Sequence, residues 1–161
     1  MVSFEEHLQQ AKSNLSALRV MLDTDHFDWQ VTISFYVALH LLSAHMAFQG
    51  VHVSTHKKAR DNLLSLAEKN NLKADSDIFS YYDMLEGLSR EARYLHNGES
   101  PKNAPVQALF VKHGKASDAL RSLNNIMIYF SRKYEADFET TKVKSPQVAK
   151  ALGHSVQYFL I

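Results

Sequence analysis

The stretch WQVTISFYVALHLLSAHMAFQG, residues 29–50, decides the fold of this 161-residue chain. A helix drawn through it is apolar along one broad stripe, and its opposite side, with Val31, Phe35 and Leu39, is apolar as well. A helix that is apolar nearly all round is buried at the centre of a domain. Five serine, threonine and histidine residues make the stretch too polar for a membrane span, so it predicts a core helix that ends before Gly50.

Apolar residues at steps of three and four on both sides of this stretch predict more helices. The predicted helices cover about residues 3–23, 25–49, 54–69, 77–96 and 105–134. The expected N-terminal caps of the first four helices are Ser3, which forms a capping box with Glu6, then Asp25 or Asp28, Ser54 or Thr55, and Asp75 or Ser76. Pro105 is expected in the first turn of the fifth helix. Since the connections are short, the sequence predicts an all-α, mostly antiparallel bundle of four to five helices.

The chain divides into a bundle domain, residues 1–135, and a C-terminal tail, residues 136–161. The tail begins with polar residues, and a short helix is expected after Pro146. It ends in the apolar run VQYFLI, residues 156–161. Because such an end is rarely left in water, we expect it to pack on the domain or on a second copy of the chain.

Composition restricts the classes of function. The formal net charge is +1, without the strong basic field of a dedicated nucleic-acid binder. The absence of cysteine excludes disulfides, thiol catalysis and thiolate metal sites. The first ten residues lack the pattern of a signal peptide, and the absence of cysteine suits a reducing cytoplasm. We therefore expect a cytoplasmic protein that does not enter a membrane, and we also expect no cofactor.

The segment SREARYLHN, residues 89–97, carries candidate chemistry at the predicted end of a helix. Arg90 can neutralise a phosphate, and His96 can give or take a proton near neutral pH. With an RNA 2′-hydroxyl as nucleophile, these two groups suffice for metal-independent cleavage to a 2′,3′-cyclic phosphate. On spacing alone, a helix C-terminus whose cations complement its dipole is the better explanation of the segment.

Two histidine-containing groups are candidate binding sites. His56 and Arg60, four residues apart at a predicted helix start, share a face that suits a phosphate or simply faces solvent. A metal site would need His40, His45 and His56 to converge. Since positions five apart on a helix point about 140° from each other, we expect no metal site.

Together, FYVALHLLSAHMAFQGVH, THKKARDNLL and YYDMLEGLSREARY resemble the all-helical HEPN superfamily, in particular its small prokaryotic members. The resemblance covers about residues 25–97 and continues to about 134. It implies a cytoplasmic homodimer, and for many members a ribonuclease of a defence or toxin–antitoxin system with an antitoxin or other partner protein. The family signature of Arg, four to six residues, then His is similar to Arg90-x5-His96 here.

One departure from the signature favours a different use of the site. Active members usually have Asn, Asp or His directly after the arginine, whereas this chain has Glu91, whose carboxylate would compete with phosphate. The similar small members emphasise SR-x-ARY, which points to Arg93 and Tyr94, with His56 and Arg60, as a nucleotide- or phosphate-binding cluster. The sequence therefore leaves two hypotheses, a ribonuclease acting on RNA and a non-catalytic module that binds a nucleotide or a protein.

Overall fold

The computed structural model describes residues 2–51, 61–62, 64–65, 73–94 and 112–161. Within these ranges the chain forms five helices with defined bounds and one short parallel pair of strands, and residues 61–62 and 64–65 are helical as well. The elements are α1 (Phe4–Met21), α2 (Phe27–Phe48), α3 (Lys73–Tyr94), α4 (His113–Tyr134), β1 (Thr141–Lys142), α5 (Pro146–Leu152) and β2 (Phe159–Leu160). The predicted all-α class is confirmed, and the predicted helix over 54–69 lies mostly outside the described residues.

The central position predicted for the second helix is confirmed. α2 packs on α1, α3 and α4, and 14 of its residues are buried. Contrary to the prediction from its polar residues, α2 is long and apolar enough to cross a membrane, but 72% of its most apolar window is buried inside the fold. Gly50, with φ of +73°, directly follows the last turn in the left-handed region that glycine adopts at low cost.

The capping box at the start of α1 is also confirmed. The backbone N–H of Glu6 donates to the Ser3 hydroxyl at 3.1 Å, and the Ser3 backbone N–H donates to the Glu6 carboxylate at 2.7 Å. These two hydrogen bonds fix the first turn of α1 and satisfy two donors that a helix start would otherwise leave without partners.

The hydrogen bond from the Ser3 backbone N–H, with that from the Ser3 hydroxyl, holds the pKa of Glu6 below its ordinary value. Because the folded pKa is lowered, the stability that Glu6 contributes is present above its ordinary pKa and is lost as the pH falls through the lowered value. We expect Ser3→Ala, which removes the hydroxyl and keeps the backbone N–H, to move the pKa of Glu6 only part of the way back toward the ordinary value. An NMR titration of the Glu6 carboxyl in both proteins measures this, and an unchanged pKa would contradict it.

Three predicted helix starts are wrong. The N-terminal cap of α2 is His26, without a side-chain hydrogen bond, whereas Asp25 accepts instead from Ser145 in the tail at 3.1 Å. α3 begins at Lys73, so the expected caps of this helix lie inside it. Lys112 is extended, with φ of −79° and ψ of 158°, so the predicted continuous helix from 105 to 134 is broken and α4 begins at His113.

The tail, residues 136–161, packs against the bundle of its own chain. α5 begins at Pro146 as predicted. β1 pairs with β2, because the backbone N–H of Thr141 donates to the carbonyl of Tyr158 and that of Val143 donates to the carbonyl of Leu160. Arg121 on α4 donates to the carbonyl of Leu152, and Asn124 accepts from the backbone N–H of Tyr158 at 3.0 Å. Phe159 is fully buried in the core. The tail is therefore part of the domain's hydrophobic core.

Candidate functional site

Half of the residues predicted for the site lie in the described part of the chain, near the C-terminal end of α3. Arg90 and Tyr94 are exposed there, and Arg93 is half-buried. The other predicted residues fall outside the described ranges: His56, Arg60 and His96. The pairing of Arg90 with His96, and the grouping of Arg93 with the residues near 56–60, therefore remain predictions.

Arg90 is held by a carboxylate one turn earlier on its own helix. Its Nη2 donates to Oε1 of Glu86 at 2.5 Å, and Glu86 is only 4% exposed. The other carboxylate oxygen of Glu86 is buried without a hydrogen-bond partner among the residues described. A buried carboxylate depends on its cation, because removal of the cation leaves an uncompensated buried charge. Arg90 thus neutralises Glu86 and is less available to a phosphate.

Glu91 was expected to compete with phosphate for the adjacent arginine, and this expectation is wrong. Glu91 forms an ion pair with Lys115 on α4. Positions one apart on a helix point in different directions, whereas positions four apart share a face. The carboxylate that binds Arg90 is therefore Glu86, four residues earlier.

The guanidinium of Arg93 lies among three aromatic rings. Its central carbon is 5.5 Å from the ring centroid of Phe35, 5.9 Å from that of Tyr36 and 5.1 Å from that of Tyr94. Its Nε donates to the backbone carbonyl of Ser89 at 3.2 Å. Within the described ranges its two terminal nitrogens have no hydrogen-bond acceptor. The fork is thus held in place with N–H donors left for an anion.

Arg93 forms part of the wall of a cavity of about 400 Å³ between α2 and α3. The lining residues are Asp28, Trp29, Thr32, Tyr36, Ala92 and Arg93. The indole of Trp29 is available to a ligand, because this residue is 56% exposed. Asp28 is exposed and makes no hydrogen bond or ion pair within the described part of the chain. The cavity therefore combines an oriented cation, an aromatic surface and a carboxylate.

The same end of the bundle carries the start of two long helices. The ring of Phe27, the first residue of α2, lies 6.1 Å from that of His113, the first residue of α4. Neither N-terminal cap, His26 or Lys112, makes a side-chain hydrogen bond to its helix. Helix N-termini carry partial positive charge and unsatisfied N–H groups, so this end of the bundle favours an anion.

A second cavity, of about 410 Å³, lies between α3 and α4, toward the N-terminal half of α3. It is lined by residues of both charges, among them Asp77 and Arg132. Both side chains are exposed, and no described residue orients the Arg132 guanidinium as the rings orient Arg93. The cavity beside Arg93 is therefore the better candidate for a specific ligand.

Two histidines of α2 contact partners that the sequence did not suggest. Nδ1 of His40 lies 3.3 Å from Nδ1 of His7 on α1, and Nδ1 of His45 lies 2.5 Å from the hydroxyl of Tyr134. His40 and His45 therefore contact different residues, and His56 lies outside the described residues. Among the residues that can be described, no three histidine or acidic side chains form a group able to hold a metal ion.

Sequence reasoning missed the α2 side of the cavity. Asp28, Thr32 and Tyr36 recur every four residues and share one face of α2, beside Trp29. The sequence signal that could have found them is Asp28 next to the only tryptophan, followed by Thr32 one turn later and Tyr36 two turns later. That pattern interrupts an otherwise apolar stripe.

The chain was compared with known proteins by family, by sequence and by structure. No curated protein and no solved structure matches it. The family model of the HEPN domain matches residues 4–134, which include α1 to α4, both walls of the Arg93 cavity and most of the chain. The tail that contains β1, α5 and β2 lies beyond this match. The helical bundle and this match together show that the chain belongs to the HEPN domain family.

Proposed function

We propose that this HEPN domain binds a nucleotide, with the phosphate on Arg93 in the cavity between α2 and α3. The observation that carries the proposal is the Arg93 guanidinium, which is oriented by three rings and a backbone carbonyl while its terminal nitrogens have no acceptor among the described residues. A planar guanidinium with two terminal nitrogens matches the oxygens of a phosphate, which it binds through parallel charge-assisted hydrogen bonds.

The other features of the cavity suit the rest of a nucleotide. Its volume of about 400 Å³ falls in the range of small-ligand sites, about 300–1,000 Å³. Trp29 offers an exposed indole on which a base can stack, an interaction that contributes about 1–3 kcal/mol per base.

Trp29 also makes the proposal directly testable, because it is the only tryptophan in the chain. We expect saturable quenching of its fluorescence as a nucleoside monophosphate is added, with weaker binding of the same nucleoside without its phosphate. Calorimetry gives the dissociation constants, and inorganic phosphate is the control for binding by charge alone. The proposal would be overturned if none of the four ribonucleoside monophosphates produced either quenching or heat.

The second candidate is a ribonuclease of a defence or toxin–antitoxin system that uses Arg90 and His96. It is favoured by the place of Arg90 near the end of α3, where 47% of the side chain remains exposed. Its ion pair with Glu86 favours binding without cleavage, because a neutralised guanidinium stabilises a developing phosphate charge less well.

An RNA cleavage assay without added metal separates the two candidates. The variants to compare are His96→Ala and the double variant Glu86→Gln/Arg90→Gln, which removes the arginine without leaving its buried carboxylate unpaired. Cyclic-phosphate ends produced by the parent and by neither variant would establish the ribonuclease. RNA left intact by the parent, together with nucleotide binding, is the result that we expect.

A further inference from the structure

The side chains on the α2 wall of the cavity follow one another along the helix axis. Tyr36, at the inner end, is the residue whose ring lies 5.9 Å from the Arg93 guanidinium. Asp28, at the outer end, is eight residues earlier on the same face, a distance of about 12 Å along the helix axis at 1.5 Å per residue. Trp29 lies beside Asp28. A phosphate on Arg93 therefore places a sugar along the wall and a base at Trp29 and Asp28.

The group that meets the edge of the base is an ionised carboxylate, which only accepts hydrogen bonds. Guanine presents two adjacent donors on its Watson–Crick edge, the N1–H and the N2 amino group, and these match the two oxygens of one carboxylate. Adenine and cytosine each present one donor beside a ring nitrogen that accepts. Uracil presents one donor between two carbonyl oxygens. These three bases therefore bring acceptor atoms against the Asp28 carboxylate.

We infer that Asp28 makes this cavity selective for guanine, so that the ligand is a guanosine 5′-phosphate unit. The inference rests on the proposed nucleotide binding at Arg93 and adds the identity of the base. Asp28 is suited to this role because its carboxylate has no partner within the described ranges and shares the cavity with Arg93. The same unit occurs as the free mononucleotide and as the 5′ end of an RNA chain.

Calorimetry with GMP, IMP, AMP, CMP and UMP tests the inference. We expect GMP to bind about tenfold more tightly than AMP, CMP or UMP, since a bidentate contact to a base edge discriminates by about 1–3 kcal/mol. IMP, which keeps the N1–H and lacks the 2-amino group, is expected between them. Equal affinities for GMP and AMP would overturn guanine selectivity while leaving nucleotide binding intact, whereas binding of none of the five would overturn both.

Asp28→Asn is the decisive variant, because an amide offers one acceptor and one donor in place of two acceptors. We expect it to lose most of the preference for GMP over AMP while still binding both. Asp23→Asn is the matched control, because Asp23 is exposed, pairs with Lys144 outside the cavity and changes the net charge equally. A preference that survives in Asp28→Asn, or disappears in Asp23→Asn, would contradict the role of Asp28.

Two RNA trinucleotides with a 5′-phosphate, one beginning with G and one with A, distinguish the sources of the unit. If the G trinucleotide binds at least as tightly as GMP and the A trinucleotide does not, the ligand is an RNA end. If GMP binds and the G trinucleotide does not, the cavity takes the free nucleotide. Weak binding of both with equal affinity would contradict guanine recognition in RNA.

Discussion

Phe159→Ala is expected to destabilise the protein by about 3–5 kcal/mol, the usual cost of removing a fully buried phenylalanine side chain. Phe159 lies in β2, two residues before the last residue of the chain and outside the segment that matches the HEPN domain. Its side chain is 0% exposed and belongs to the core that includes residues of α1, α2 and α4. Removing the Phe159 ring therefore leaves a cavity in the core of the whole domain.

Leu160→Ala is the matched control, because Leu160 is the next residue of the same strand and is 40% exposed. We expect this variant to change the free energy of unfolding by less than about 1 kcal/mol. Urea unfolding followed by circular dichroism measures both variants. Similar small losses in both would contradict the integration of the tail into the core.

The same argument predicts the behaviour of a chain that ends after Tyr134, where the family match ends. It would lack seven buried apolar residues: Ala136, Phe138, Val143, Val148, Leu152, Tyr158 and Phe159. At about 1.5–3 kcal/mol for each large side chain, this loss is comparable with the whole stability of a domain, about 5–15 kcal/mol. We expect the shortened chain to aggregate or remain unfolded, and a cooperative thermal transition near that of the parent would contradict this.

The helices were predictable where a local signal decides them. The Ser3–Glu6 capping box and the all-round apolar run of α2 lie within a few turns of chain, and both are confirmed. The start of α2 was wrong because Asp25 instead contacts Ser145, 120 residues away, which no local pattern reveals. The pairing of β1 with β2 is equally non-local, because the two-residue strands have no period that a sequence can show.

The site was predictable only on its α3 side. Arg93 and Tyr94 were recognised from the segment that carries them, but two of the three rings that orient Arg93 lie nearly 60 residues earlier. Trp29 fitted the apolar stripe of a core helix, and only the folded chain shows that it is 56% exposed. Arg90 looked equally available in the sequence, because the burial of Glu86 depends on packing against another helix.

Arg93→Ala is expected to weaken nucleotide binding by at least about tenfold, since a hydrogen bond to a charged group contributes about 1.5–3 kcal/mol. The ring contacts and the Ser89 carbonyl hold the parent guanidinium in one orientation, so little entropy is lost when the phosphate binds. Arg93→Lys keeps the charge and loses the planar fork, so we expect it to recover only part of the affinity. Calorimetry with GMP measures both variants.

Arg132→Ala is the control for charge, because Arg132 is an exposed arginine in the other described cavity and its loss changes the net charge equally. We expect its affinity for GMP to equal that of the parent. If Arg93→Lys binds as tightly as the parent, the site needs only a positive charge, and the recognition of phosphate by an oriented fork is wrong. If Arg93→Ala also binds as tightly, the phosphate lies elsewhere. We expect affinity to be lost in Arg93→Ala, partly recovered in Arg93→Lys and unchanged in Arg132→Ala, because the oriented guanidinium contacts the ligand.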